Sequence, residues 1–128
     1  MSGRAEGPVV VLSDPLSFWG GFDAESGEIT DQRHPQCGIK LTGAVLLMPA
    51  GRGSSSASSV LAEAIRLGTA PAAVVMREDD EIVALGSIVA DELYGMVMPV
   101  VVVDDAEYGR IAAANRVRLG RESLAVLS

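Results

Sequence analysis

"GAVLLMPAGRGSSSASSVLAEAIRLGTAPAAVVM", residues 43–76, decides the fold class of this chain. Its first seven residues, "GAVLLMP" (43–49), are a short apolar run closed by Pro49, which predicts a buried strand. Residues 56–67, "SASSVLAEAIRL", change period. Val60, Leu61, Ala64, Ile65 and Leu67 recur at helical spacing, and Gly68 is a natural stop, so a helix is predicted there. "AAVVM" (72–76) returns to a buried strand. Strand, loop, helix and strand within this length form a βαβ-like unit of an α/β fold.

Outward from this unit the pattern continues. "PVVVL" (8–12) reads as a β-branched buried strand, and "VMPVVVV" (97–103) as another. "EIVALGSIVADEL" (81–93) is ambiguous, its apolar residues fitting a helix slightly better than a strand. "AEYGRIAAA" (106–114) suits a short helix. "RVRLGRESLAVL" (116–127) alternates as a closing hairpin around Gly120. Residues 15–38 are rich in Gly, Pro, Asp and Ser and read mostly as loop, with one short strand near Ile29. Twenty-four irregular residues are long for a compact domain, and such loops are usually functional or covered by something else. The reading is a single mixed α/β domain over 1–128, with several strands and two or three helices.

Composition narrows the function. The chain has 128 residues, about half of them apolar, with a formal net charge of -7. Phosphate recognition needs clustered Lys and Arg, so nucleic acid is a poor partner. Nine of the ten basic residues are Arg and only Lys40 is Lys, a compositional bias. The single cysteine, Cys37, can neither close an internal disulfide nor hold an iron–sulfur cluster alone; it reads as a small buried or loop residue. No apolar run is long enough to span a membrane. The run Val9–Leu12 is too short for a signal-peptide core, so a cytoplasmic location is expected.

Five of the six residues from 54 to 59 are serine, behind two glycines that flank Arg52. Glycines let backbone approach a ligand closely. Serines at a helix start can cap exposed N–H groups. Those N–H groups and the helix dipole favour an anion, and the Arg52 guanidinium suits a carboxylate or phosphate. The stretch fits a site for a small acidic molecule. Plain capping is the competing reading, but it accounts for one serine rather than five. The P-loop ending and its lysine are absent, and so is a nucleophile elbow. The one histidine, His34, lies before Pro35 in a polar loop and reads as solvated.

"PLSFWGGFD" (15–23), "SGEITDQRHP" (26–35), residues 43–75 and "EIVALGSIVADELYG" (81–95), in this order, resemble the small subunit, or swivel domain, of aconitase X. The resemblance covers about residues 9–103, and the "PLSFWGG" and "GRGSSS" loops are its most specific parts. It implies an aconitase-like swivelling β/β/α domain with a partly closed barrel and flanking helices. It implies a hydro-lyase that dehydrates a hydroxy acid together with a large subunit, in a two-subunit arrangement. That large subunit would carry an iron–sulfur cluster or iron, with no cofactor in this chain. Archaeal members act on phosphomevalonate and bacterial ones usually on cis-3-hydroxy-L-proline; the Arg-heavy, Ala-rich composition favours the latter.

The family's proton acceptor is the first serine after the glycines, which here is Ser54. Dehydration needs a base for the C–H proton and a Lewis acid for the departing hydroxyl. A serine serves as base only if neighbours stabilise its alkoxide, and Arg52, backbone N–H groups and the helix start would do so. Arg52, Gly53 and Ser55 are the candidate substrate contacts. Ser17, Phe18, Trp19, Gly20 and Gly21 either plug the barrel end or form a docking surface, and Trp is a frequent interface anchor. A stand-alone module that binds a small anion at the "GRGSSS" loop is the alternative from another class, and a structural subunit without catalysis is a third.

Overall fold

The computed structural model of the chain describes residues 5–14, 16, 18–49, 55–78, 81–119 and 124–126. In chain order the elements are β1 (Ala5–Val11), α1 (Phe18–Gly21), β2 (Val45–Met48), α2 (Ser55–Leu67) and β3 (Ala73–Met76). They are followed by α3 (Glu81–Tyr94), β4 (Val100–Val102), α4 (Asp105–Ala112), β5 (Arg116–Leu119) and β6 (Leu124–Val126). The strands form one mixed sheet in the order β4-β3-β2-β1-β5-β6, curled into a half-barrel. Strands β1 to β4 pair in parallel, while β5 pairs antiparallel with both β1 and β6.

The strand sequences follow from what covers each face. Every residue of β2 and β3 is buried. On one face Leu46, Met48, Val74 and Met76 meet Leu61, Ala64 and Ile65 of α2 and Val83 and Ala90 of α3. On the other face Val45, Leu47, Ala73 and Val75 meet Tyr108 and Ile111 of α4 and Val117 and Leu119 of β5. A parallel strand covered on both faces needs an unbroken apolar run, which is what "VLLM" and "AVVM" supply. Strand β5 has one wet face, so Arg116 and Arg118 alternate with buried Val117 and Leu119.

Helix α2 ends where expected, with Gly68 at φ +80°. The ambiguous segment is helix α3. Its buried residues Val83, Gly86, Ser87 and Ala90 share one helical face. Gly86 brings α2 and α3 close: a Cβ there would lie 3.0 Å from the Ser58 carbonyl oxygen and 3.1 Å from Leu61 Cβ. The buried Ser87 hydroxyl donates to the Met98 carbonyl at 2.5 Å. The strand expected over 97–103 contracts to Val100–Val102. The Ser87 hydroxyl takes the Met98 carbonyl, and Pro99 has no N–H for a ladder. Helix α4 is capped by Asp104, whose carboxylate accepts from the Glu107 N–H at 2.8 Å. The C-terminal hairpin forms as expected between β5 and β6, although its turn around Gly120 lies outside the described residues.

The long segment 15–38 is more ordered than its composition suggests. Phe22 bridges Ile29, and Glu28 bridges Lys40, both antiparallel. Ile29 and Leu41 are fully buried beneath this small lobe. The Asp23 carboxylate accepts from the Glu25 N–H at 3.0 Å and the Ser26 hydroxyl at 2.9 Å. These two bonds, the backbone one foremost, hold its pKa below the ordinary aspartate value. His34 corrects the expectation of a solvated side chain: it is 5% exposed and both ring nitrogens face backbone partners. Cys37 is an exposed loop residue.

Candidate functional site

The carboxyl ends of the parallel strands define the site's location. Strand β1 runs out through Leu12, whose N–H still reaches the Leu47 carbonyl at 2.8 Å. Strand β2 ends at Pro49. The Pro49 carbonyl accepts the N–H groups of Arg77 and Glu78, each at 3.1 Å, which ties the exit of β2 to the exit of β3. Ligands of open α/β sheets bind outside this edge. The glycine–serine loop leaves here and leads into α2, a thirteen-residue helix long enough to present a dipole.

Of the sequence-predicted residues in this loop, Arg52, Gly53 and Ser54 lie outside the described residues, and Ser55 is the first residue of α2. The rest of the serine run divides by face. Ala57 and Ser58 are buried and Ser59 is exposed. The backbone carbonyl of Ser58 lies at the close approach of Gly86, so this part of the run belongs to the α2–α3 contact.

The second predicted group begins beyond Leu12. Ser17 lies outside the described residues. Phe18 is 1% exposed and meets Phe22 edge-on, ring centroids 5.1 Å apart. Gly21 is also buried, while Gly20 is exposed at φ +77°. Trp19 lies in α1 between them.

Two features went unread in the sequence. Arg77 stands over the Tyr108 ring, 5.1 Å from its centroid, beside the β3 exit. Burial pushes the Tyr108 hydroxyl up, with Arg77 opposing the shift, and the hydroxyl has no hydrogen-bond partner among the described residues. The other is the buried His34 with Gln36. Neither shows a local pattern, since Arg77 meets Tyr108, and His34 and Gln36 meet residues 11–14, far away in the chain. Among the described residues no group of three or more His, Cys, Asp or Glu could hold a metal ion, and no helix is long and apolar enough to cross a membrane.

Comparison with known proteins fits this architecture. The family model for the aconitase X swivel domain matches residues 1–127. A cis-3-hydroxy-L-proline dehydratase of Pseudomonas aeruginosa is 45% identical over 119 residues, covering 93% of this chain and 20% of that protein. The chain thus spans about a fifth of that relative's length. The phosphomevalonate dehydratase small subunit of Methanothermobacter thermautotrophicus is 38% identical over 119 residues, covering 85% of this chain and 91% of its own. The crystal structure of Thermococcus kodakaraensis aconitase X in its holo-form superposes with a TM-score of 0.83 at 33% identity, over 99% of this chain and 92% of that one. Matched along almost its whole length in both sequence and fold, the chain belongs to the aconitase X swivel domain family.

Proposed function

We propose that this chain, acting as one swivel domain over 1–128, is the small subunit of an aconitase X-type hydro-lyase. It dehydrates a hydroxy acid together with a large subunit, in the cytoplasm, and the substrate is cis-3-hydroxy-L-proline. The observation that carries the reading is the 45% identity to the Pseudomonas aeruginosa cis-3-hydroxy-L-proline dehydratase across 93% of this chain. The glycine–serine loop between the β2 exit and α2 supplies the chemistry. Ser54 takes the proton from the carbon beside the substrate carboxylate, the hydroxyl on the next carbon leaves, and the freed electron pair becomes the double bond. Arg52, Gly53 and Ser55 hold the substrate and, with the start of α2, stabilise the Ser54 alkoxide. The membership of the aconitase X family supports placing an iron–sulfur cluster or iron in the large subunit. That metal supplies the Lewis acid for the departing hydroxyl.

A second reading, phosphomevalonate as substrate, is favoured by one observation. The phosphomevalonate dehydratase small subunit of Methanothermobacter is 38% identical over 119 residues, 85% of this chain. Reconstitution with the large subunit, followed by turnover assays on both compounds, separates the two. The expected result is dehydration of cis-3-hydroxy-L-proline by the pair and none by the chain alone. A chain that turned over substrate or bound iron stoichiometrically without a partner would refute the subunit reading. A competent large subunit that gained no activity from this chain would favour a stand-alone anion-binding module.

A further inference from the structure

We propose that the segment 30–36, with His34 and Gln36 at its centre, is a clamp that grips both ends of the 15–21 loop and sets that loop's conformation for docking. The second half of the statement rests on the proposed function, with its large subunit docking on that loop and Trp19 as the anchor. The first half stands on geometry alone.

Strand β5 accompanies β1 only from Ala5 to Pro8, and the Val9 N–H makes the next bond on that side, to the Asn115 carbonyl at 2.9 Å. Successive peptide groups of a strand point to opposite sides. The Val11 carbonyl and the Ser13 N–H therefore face the side that β5 has left. The Gln36 side chain takes both positions. Its Nε2 donates to the Val11 carbonyl at 2.7 Å, and its Oε1 accepts the Ser13 N–H at 2.9 Å. One side-chain amide thus replaces the N–H and C=O that one residue of a parallel neighbour would offer.

His34 holds Gln36 in place. Its Nδ1 accepts the Gln36 N–H at 3.0 Å, and its Nε2 lies 3.2 Å from the Asp14 carbonyl. A backbone N–H can only donate and a carbonyl can only accept, so the ring carries its proton on Nε2. Pro35 between them restricts the backbone. The far end of the loop is held by the same segment: the Gly21 carbonyl accepts from the Thr30 N–H at 2.9 Å and the Asp31 N–H at 3.4 Å. Residues 13–14 and residue 21, the two ends of the loop, are thereby fixed to one short stretch of chain.

Three variants of the full chain test this. In Gln36→Ala and His34→Ala, hydrogen exchange at the Ser13 amide should quicken by about fivefold or more, the worth of one lost hydrogen bond. Amides of β2 and β3 should keep their wild-type rates. Trp19 is the single tryptophan of the chain, so its fluorescence and quenching should change in the same variants. In His34→Asn the amide oxygen can still take the Gln36 N–H, as asparagine does in Asx-turns, and Ser13 protection should return. Nitrogen NMR of the wild-type ring should show the proton on Nε2. Because Gln36→Ala removes only a half-buried side chain, it keeps the test decisive if His34→Ala destabilises the whole fold. Unchanged Ser13 exchange and Trp19 signals in Gln36→Ala, or a proton on Nδ1, overturn the clamp. Affinity for the large subunit should fall in Gln36→Ala by a factor similar to the exchange effect. A loosened Ser13 with undiminished affinity supports the clamp and overturns the docking role of the loop.

Discussion

At the scale of single residues, the serine run combines two demands. Ser58 is buried, and its backbone carbonyl lies where α2 meets Gly86. Ser54 is the proposed base. Ser54→Ala in the assembled enzyme should lower kcat by roughly two to four orders of magnitude, the usual worth of a positioned base. Arg52→Ala should raise KM, because it removes ground-state binding of the acid, and lower kcat less than Ser54→Ala does, because Gly53, Ser55 and the start of α2 still support the alkoxide. Ser56→Ala is the control, expected near wild-type turnover, whereas Ser55→Ala removes a proposed substrate contact and should raise KM. Full activity in Ser54→Ala with loss in Ser55→Ala would move the base by one residue. The run itself was legible as unusual because capping needs one serine, not five. That Ser58 is buried was not, because Gly86, which meets its carbonyl, is 28 residues away in sequence.

At the scale of elements, α3 was the least legible. Leu85 and Ile88 are exposed on it while Gly86 and Ser87 are buried. Apolar residues outside and small or polar residues inside blur the helical stripe. The inward face is small because α2 comes so near. Gly86→Leu should therefore cost about 1–3 kcal/mol in urea unfolding, as overpacking does. Gly109→Ala is the matched control on α4, where a Cβ meets nothing within 4 Å. It should stabilise by about 0.5–1 kcal/mol, the helix preference of Ala over Gly. Equal effects at both positions would mean that the α2–α3 approach is not tight. The βαβ unit, by contrast, was read correctly over 43–76, its strands and helix matching to within a few residues.

At the scale of the whole molecule, β2 and β3 are covered on both faces, and the strand ends and the 15–21 loop are the proposed places of recognition. Phe18 anchors that loop from inside, with Phe22 against it. Trp19 is the proposed anchor for the large subunit. Trp19→Ala should weaken assembly by roughly thirtyfold or more, the cost of truncating an interface hot spot of about 2 kcal/mol. The melting of the chain alone should stay near wild type, because Phe18 keeps its place in the core. A pull-down titration and a circular dichroism melt read the two quantities. Global unfolding without a specific loss of affinity would assign Trp19 to the plug as well.

The sequence by itself determined the parallel core strands, helix α2, the closing hairpin and the glycine–serine loop. Each of these writes its environment into neighbouring residues, as an unbroken apolar run, a helical stripe or a cluster of turn formers. Only the tertiary structure decided that β5 pairs with β1 from Ala5 to Pro8, that His34 is buried, and that Gln36 completes the edge of β1. Those outcomes depend on partners that lie 20 to 110 residues apart, His34 with Asp14 and Glu6 with Arg116 among them. A hydrogen bond across that distance leaves no periodicity in either segment, so the histidine looked like any polar loop residue until the fold brought its partners to it.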